Sequence, residues 1–168
     1  MSNKSTYSEV LEGLYGFTDE QLGYTFVNCD GKRKRHYTFD ALISRVAQYG
    51  LSLLKVGLKK GDRVGLVLTD NEEFTCCFLG ALHVGLIPVP LAYPTSAAEL
   101  KSYPHKVQYI LGVSEASCLI LSSFLRQHLE AGLSSCGIAI YTIDELEITY
   151  EQAPLVYAQP AAGVVADY

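Results

Sequence analysis

From residue 38 to residue 142 the chain alternates between two kinds of hydrophobic spacing. Phe39, Leu42, Ile43, Val46, Ala47, Leu53 and Leu54 recur at helical intervals, which predicts an amphipathic helix. Thr38 is placed to cap it, Asp40 suits the positive end of its dipole, and Gly57 suits the position just past its end. Lys59-Lys-Gly-Asp62 then reads as a tight turn into Arg63-Val-Gly-Leu-Val-Leu-Thr69. That short apolar run, bounded by turn residues, is expected of a strand covered on both faces. Asn71 is the candidate cap of a second helix, with Glu72 and Glu73 in its first turn and Gly85 at its end. In Ile87-Pro-Val-Pro-Leu91 two prolines cannot donate to a ladder, so this strand is short or lies at an edge. A helix from Pro104 to Gly112, a strand from Cys118 to Ser122, a helix from Ser123 to Ala131 and a strand from Ile138 to Thr142 complete the alternation.

Strands alternating with helices predict an α/β fold, a mostly parallel doubly wound sheet flanked by helices. Val64, Leu66, Val67, Leu119, Ile120, Ile138 and Ile140 are its expected core. Ahead of it, Tyr24–Asn28 and Arg33–Tyr37 flank Asp30-Gly31, a turn signal that predicts an N-terminal β-hairpin. The expected organisation is an arm over 1–23, the hairpin over 24–37, an α/β core over 38–146 and a connector over 147–168. No recognisable element closes the chain, which therefore reads as cut. If so, the helix carrying Phe124, Leu125 and Leu129 and the tail from Leu155 to Tyr168 are expected to be uncovered, and to self-associate or stay disordered.

Composition narrows the class. The 168 residues are 49% hydrophobic and 18% charged, as in one globular domain, and the net charge of −5 argues against a nucleic-acid partner. Five cysteines, an odd number without a Cys-x-x-Cys pair, argue against a disulfide framework. The first residues lack the apolar core of a secretory signal, and no apolar run approaches the roughly 18 residues of a membrane span. The expected compartment is the cytoplasm.

Candidate chemistry is sparse. Neither G-x-x-x-x-G-K-[ST] nor a G-x-G-x-x-G opening a helix is present. Gly57, Gly61 and Gly65 lead into a strand, so they read as a cap, a turn and a close backbone contact. His36, His83, His105 and His128 have no metal spacing, and His83 reads as a partly buried, hydrogen-bonded histidine. Ser114, Ser117, Ser122 and Ser123 lack a nucleophile elbow, and Cys76-Cys77 has no cation nearby in sequence to activate a thiol. Lys32-Arg-Lys-Arg-His36 is a charge run, read as a hairpin arm whose alternate residues face water. Val89-Pro-Leu-Ala-Tyr93-Pro94-Thr95 stiffens the backbone just past a strand's carboxyl end, which reads first as a rigid crossover and second as a ligand contact, since open α/β sheets bind ligands there. Tyr93 and Pro94 are accordingly the candidate substrate-binding residues. No catalytic, cofactor-binding or metal-binding residue is assigned.

Two segments carry a resemblance. Tyr37-Thr-Phe-Asp-Ala-Leu42 is similar to the L-T-Y-x-E-L motif of adenylate-forming enzymes, with Tyr37 for the first Leu and Ala41 for the Glu. Gly57-Leu-Lys-Lys-Gly-Asp-Arg-Val-Gly-Leu-Val-Leu68, Asn71-Glu-Glu-Phe74 and Gly80-Ala-Leu-His-Val-Gly-Leu-Ile-Pro-Val-Pro-Leu91 follow at the family's spacing. The chain thus resembles the N-terminal portion of the adenylate-forming superfamily of acyl-CoA synthetases, fatty acyl-AMP ligases and peptide-synthetase adenylation domains. The Pro-Val-Pro-Leu-Ala-Tyr-Pro wording is most similar to the fatty acyl-AMP ligases. The resemblance implies a parent ligase that activates a fatty acid with ATP and Mg2+ and passes the acyl group to coenzyme A or an acyl carrier protein. The family's phosphate-gripping loop, metal-binding acid and C-terminal lysine match nothing in this sequence, so the chain alone is expected to be inactive. The alternative is a non-catalytic interaction or scaffold module on the same fold.

Overall fold

In the computed structural model, the described residues are 22–28, 30–134 and 137–146, together with 9, 10 and 13. The expected arm and connector lie outside them, apart from those few positions. Strands β1 (Gly23–Val27) and β2 (Arg33–Thr38) pair antiparallel around Gly31, whose φ of 77° is a conformation glycine adopts cheaply. Helix α1 (Phe39–Lys55) follows at once, and the Thr38 hydroxyl accepts the Ala41 N–H as the sequence predicts. It ends before Gly57, with φ of 95°. The Lys59–Asp62 turn, closed by Asp62 N–H to Lys59 O and Lys59 N–H to the Asp62 carboxylate, opens β3 (Arg63–Val67).

The elements α2 (Asn71–His83), β4 (Ile87–Pro90), α3 (Ala97–Val113), β5 (Cys118–Leu121), α4 (Ser123–Leu133) and β6 (Ala139–Thr142) complete the described chain, with a final 3-10 turn at Ile143–Glu145. The sheet is wholly parallel, in the order β4-β3-β5-β6. Side-chain alternation divides the interior in two. Val64, Leu66, Leu68, Cys118 and Ile120 face α1, α2 and the hairpin residue Phe26. Val67, Leu119 and Leu121 face α3 and α4 through Tyr103, Val107, Leu111, Leu125, Leu129 and Leu133.

On the first face α1 crosses α2 at Gly50 and Gly80. A Cβ on Gly50 would lie 2.7 Å from the Gly80 carbonyl oxygen, and one on Gly80 would lie 2.8 Å from the Gly50 nitrogen. The two backbones touch, which no other residue pair permits. On the second face Pro104 packs against Gly132, and the Gln108 amide donates to the Gly132 carbonyl.

Four expectations are corrected. The cap of α2 is Asp70, whose carboxylate accepts from Glu72 N and Glu73 N, while Asn71 is the first helical residue. Helix α3 begins at Ala97 under a Ser96 cap and carries Pro104 in its interior, where the sequence predicts the start. Ile138 and Ile140 are only partly buried, because β6 is the outermost strand described and has one neighbour. Leu125 and Leu129 are buried against the sheet, and Phe124 alone of that trio is exposed.

The prolines of β4 obey the geometry of an edge. Ile87 donates to Asp62 O and Leu91 to Leu66 O, so odd-numbered N–H groups point at β3. Strand alternation turns positions 88 and 90 outward, and both are proline. The open edge of β4 therefore has no donor to offer another strand.

Candidate ligand cleft at the carboxyl edge of the sheet

Where β3 and β4 end, their loops part around an apolar cleft of about 300 Å3. Leu68, Thr69, Asp70 and Asn71 line it from the β3 side, Phe74 from α2, and Pro90, Leu91, Ala92 and Tyr93 from the β4 side. A second hollow of about 290 Å3 continues past Ala92 and Tyr93 to Pro94, Thr95, Glu99, Ser102, Tyr103 and Lys106. Tyr93, half-exposed, stands between the two, and Pro94 lies in the second only. The two candidate residues thus sit at a cleft, but Leu68, Asp70 and Phe74, on its β3 and α2 side, are residues that the sequence reading does not single out. Adjacent strand ends were the available signal, and they require the strand order to be known.

The polar groups around the first cleft are held by the fold. Asp70 caps α2 and receives Lys34 Nζ at 2.5 Å. Burial opposes the Asp70 charge, yet the bonds from Lys34 and from the Glu73 and Glu72 N–H groups, with the Lys34 charge, hold its carboxyl below the usual value. Glu72, buried beside it, accepts from Arg35 at 3.0 Å and from the Tyr37 hydroxyl at 2.7 Å. The charge run Lys32–His36 is therefore more than a wetted arm: Lys34 and Arg35 fasten the hairpin to the start of α2. In Glu73 burial, Asp70 and Asp144 push the carboxyl up.

A different gap separates β3 from β5. Their crossovers leave to opposite faces, α2 to one and α4 to the other, which makes this the topological switch point where doubly wound sheets bind ligands. Here the gap is closed. Thr69 N–H donates to Ser122 Oγ at 2.9 Å, and the two hydroxyls share a bond at 3.1 Å. Ser123 hydrogen-bonds Asp144 just beyond.

Neither the glycines nor the side-chain-capped helix N-termini among the described residues offers a phosphate cradle. Gly57 and Gly61 lie before β3, at the opposite end of the sheet, and a Cβ on Gly65 would strike Leu111 at 2.6 Å. The N-termini of α2 and α3 already receive Asp70 and the Ser96 hydroxyl, so they are not open to phosphate. Among the described residues no group of three His, Cys, Asp or Glu side chains could hold a metal ion. Burial pushes the Cys76 and Cys118 thiols up to about 12 and raises Cys77 as well, which leaves them inert. His83 is half-buried, and burial pushes its imidazole below the usual value. No hydrogen-bond partner is seen for it among the described residues.

Residues 18–162 match the family model described as AMP-binding enzyme. The chain belongs to this family of adenylate-forming enzymes. Among its curated relatives is fatty acyl-CoA synthetase A of Dictyostelium discoideum, 29% identical over 135 residues, which are 79% of this chain and 18% of the relative. Another is Disco-interacting protein 2 homolog B-A of Danio rerio, 24% identical over 95% of this chain and 10% of the relative. A structure from a study of fatty acyl-adenylate ligases from E. coli and L. pneumophila superposes with a TM-score of 0.77 at 22% identity. It covers 90% of this chain and 27% of that one, and at that identity it shows the shared fold. The chain thus spans under a fifth of the curated relatives named here. Among the described residues no helix is long and apolar enough to cross a membrane.

Proposed function

We propose that this chain supplies the N-terminal α/β segment of a cytoplasmic ligase that activates a fatty acid with ATP and Mg2+ to an acyl-adenylate. Coenzyme A or an acyl carrier protein then takes the acyl group. The observation that carries the reading is the family match over residues 18–162, which runs from before the hairpin to beyond β6. The groups that bind phosphate and stabilise the charge of the reaction belong, in this reading, to residues outside the chain. What the chain contributes is a rigid sheet, a hairpin clamped by Lys34 and Arg35, and an apolar wall on which Tyr93 and Pro94 meet the substrate.

A chimera tests this directly. The matching segment of the Dictyostelium fatty acyl-CoA synthetase is replaced by this chain, and fatty acid-dependent pyrophosphate release from ATP is measured. A soluble chimera is expected to keep measurable adenylation. One that is folded by circular dichroism and gives no pyrophosphate would argue that the fold has been turned to a non-catalytic use.

A further inference from the structure

The two outer strands of the described sheet differ in how their free edges are blunted. On β4 the outward positions are Pro88 and Pro90, which have no N–H to donate. The sequence of β6, Ala-Ile-Tyr-Thr, contains neither proline nor charge, and nothing in the strand itself would turn another strand away. Its bonds show which of its groups face outward. Thr142 N–H donates to the Glu145 carboxylate at 2.7 Å and so points away from β5. Backbone groups alternate in direction along a strand, so Ile140, two residues earlier, directs its carbonyl to the same side. That carbonyl accepts from Nη1 of Arg126 at 3.3 Å. The same Nη1 lies 2.6 Å from Glu145 Oε2, the oxygen that takes Thr142 N–H. One cation and one carboxylate thus close a ring with Ile140 O and Thr142 N–H. In a parallel ladder a single residue of a neighbouring strand would donate to the first and accept from the second. Arg126 and Glu145 stand where that residue would stand.

We propose that the Arg126–Glu145 pair is a plug on a strand-pairing surface: in place it keeps β6 from a second copy of this chain, and when it opens the two β6 edges pair about a two-fold axis. Its two halves are held from different elements. Arg126 comes from α4, where Glu130 lies 3.7 Å from its Nε. Glu145 comes from the 3-10 turn that follows β6, with its own N–H bonded to the Thr142 hydroxyl. Ser123, at the start of α4, bonds Asp144 and draws the same turn against that helix. Both charged side chains remain partly exposed. Ion pairs in contact with water contribute little to stability, so this one can open while the strand stays in the sheet. A second copy is the occupant that suits the edge. An uncharged strand paired with itself brings no like charges together, and a two-fold matches each donor with an acceptor of the other copy.

The test is sedimentation of the whole polypeptide over a micromolar to millimolar series, with amide exchange followed at the same concentrations. The Arg126→Ala, Glu145→Ala double variant uncovers Ile140 O and Thr142 N–H. Its dimer dissociation constant is expected to fall at least about tenfold below that of the unaltered chain. Exchange at Ile140 and Thr142 is expected to slow as its concentration rises. Should the double variant not fold, Arg126→Ala alone, which leaves the bond from Thr142 N–H to Glu145 in place, is read instead and is expected to shift the same way. Adding Ile140→Pro gives β6 the device of β4, because position 140 faces outward, and is expected to restore the equilibrium of the unaltered chain. Association no tighter than that of the unaltered chain would overturn the proposal. So would tighter association that leaves Ile140 and Thr142 exchange independent of concentration, or that survives in a folded Ile140→Pro variant.

Discussion

Two gaps flank β3 at the carboxyl edge of the sheet, and they are built in opposite ways. Towards β5 the gap is the one that topology favours for ligands, yet Thr69 and Ser122 close it with hydroxyl and amide hydrogen bonds. Towards β4 the cleft lined by Leu68, Phe74, Pro90, Leu91 and Tyr93 stays open and apolar. Topology alone would point to the gap that is closed. Where the backbone's own donors and acceptors find partners decides which gap remains free.

The comparison requires a rigid β3 between the gaps. Val67, fully buried at the end of β3, faces α3 and α4. Val67→Asp strands a charge there at a cost on the order of 3–5 kcal/mol, so the variant is expected to lose cooperative thermal unfolding. A soluble Val67→Asp protein with unchanged melting temperature would refute this placement. Next in size, Gly50→Ala puts a methyl 2.7 Å from the Gly80 carbonyl and from Val84, and is expected to destabilise by about 1–3 kcal/mol in denaturant titration. Its effect tests the α1–α2 crossing that seats the wall formed by α2. Ser122→Ala removes the partner of Thr69 N–H, and a loss of about 1 kcal/mol is expected. Hydrogen exchange at Thr69 should rise while the Leu68 and Leu91 methyls stay unmoved, which separates the two gaps.

The smallest expected effect concerns the hairpin clamp. Asp70 ionises below the ordinary carboxylate value of 3.8 in the folded chain. A carboxyl lowered by folding contributes stability that is present above the unfolded value and lost as pH falls through the folded one. Lys34→Met removes much of that lowering and also takes a cation from Glu73, already pushed up by burial. The acid limb of the stability curve should move to higher pH, with a loss at neutral pH of under about 1 kcal/mol, since the pair is partly exposed. A superimposable pH profile would show that Lys34 does not set the Asp70 charge.

The hairpin, the parallel sheet and the cap of the first helix were legible because each rests on local chemistry: Thr38 before Phe39, Gly31 in a turn, apolar runs between glycines. Helix α3 was read too short because Pro104 looks like a first-turn residue, whereas the helix starts at Ala97 and the ring of Pro104 packs against Gly132. Ile138 and Ile140 have the same apolar pattern as central strands, and pattern does not tell an edge from a centre. Tyr93 was found through the stiffness of its neighbours. Leu68 and Phe74 were not, since nothing in their own surroundings marks them before β3 and β4 are placed side by side.

The polar groups along this edge are engaged in holding the fold, and the proposal that the catalytic groups lie elsewhere can be put to a direct test. Pyrophosphate release from ATP and Mg2+ with dodecanoate, by the purified 168-residue polypeptide alone, tests it most directly. The expected result is a rate indistinguishable from a blank without protein. Release that scales with the polypeptide, requires the fatty acid and disappears on heat denaturation would contradict the claim.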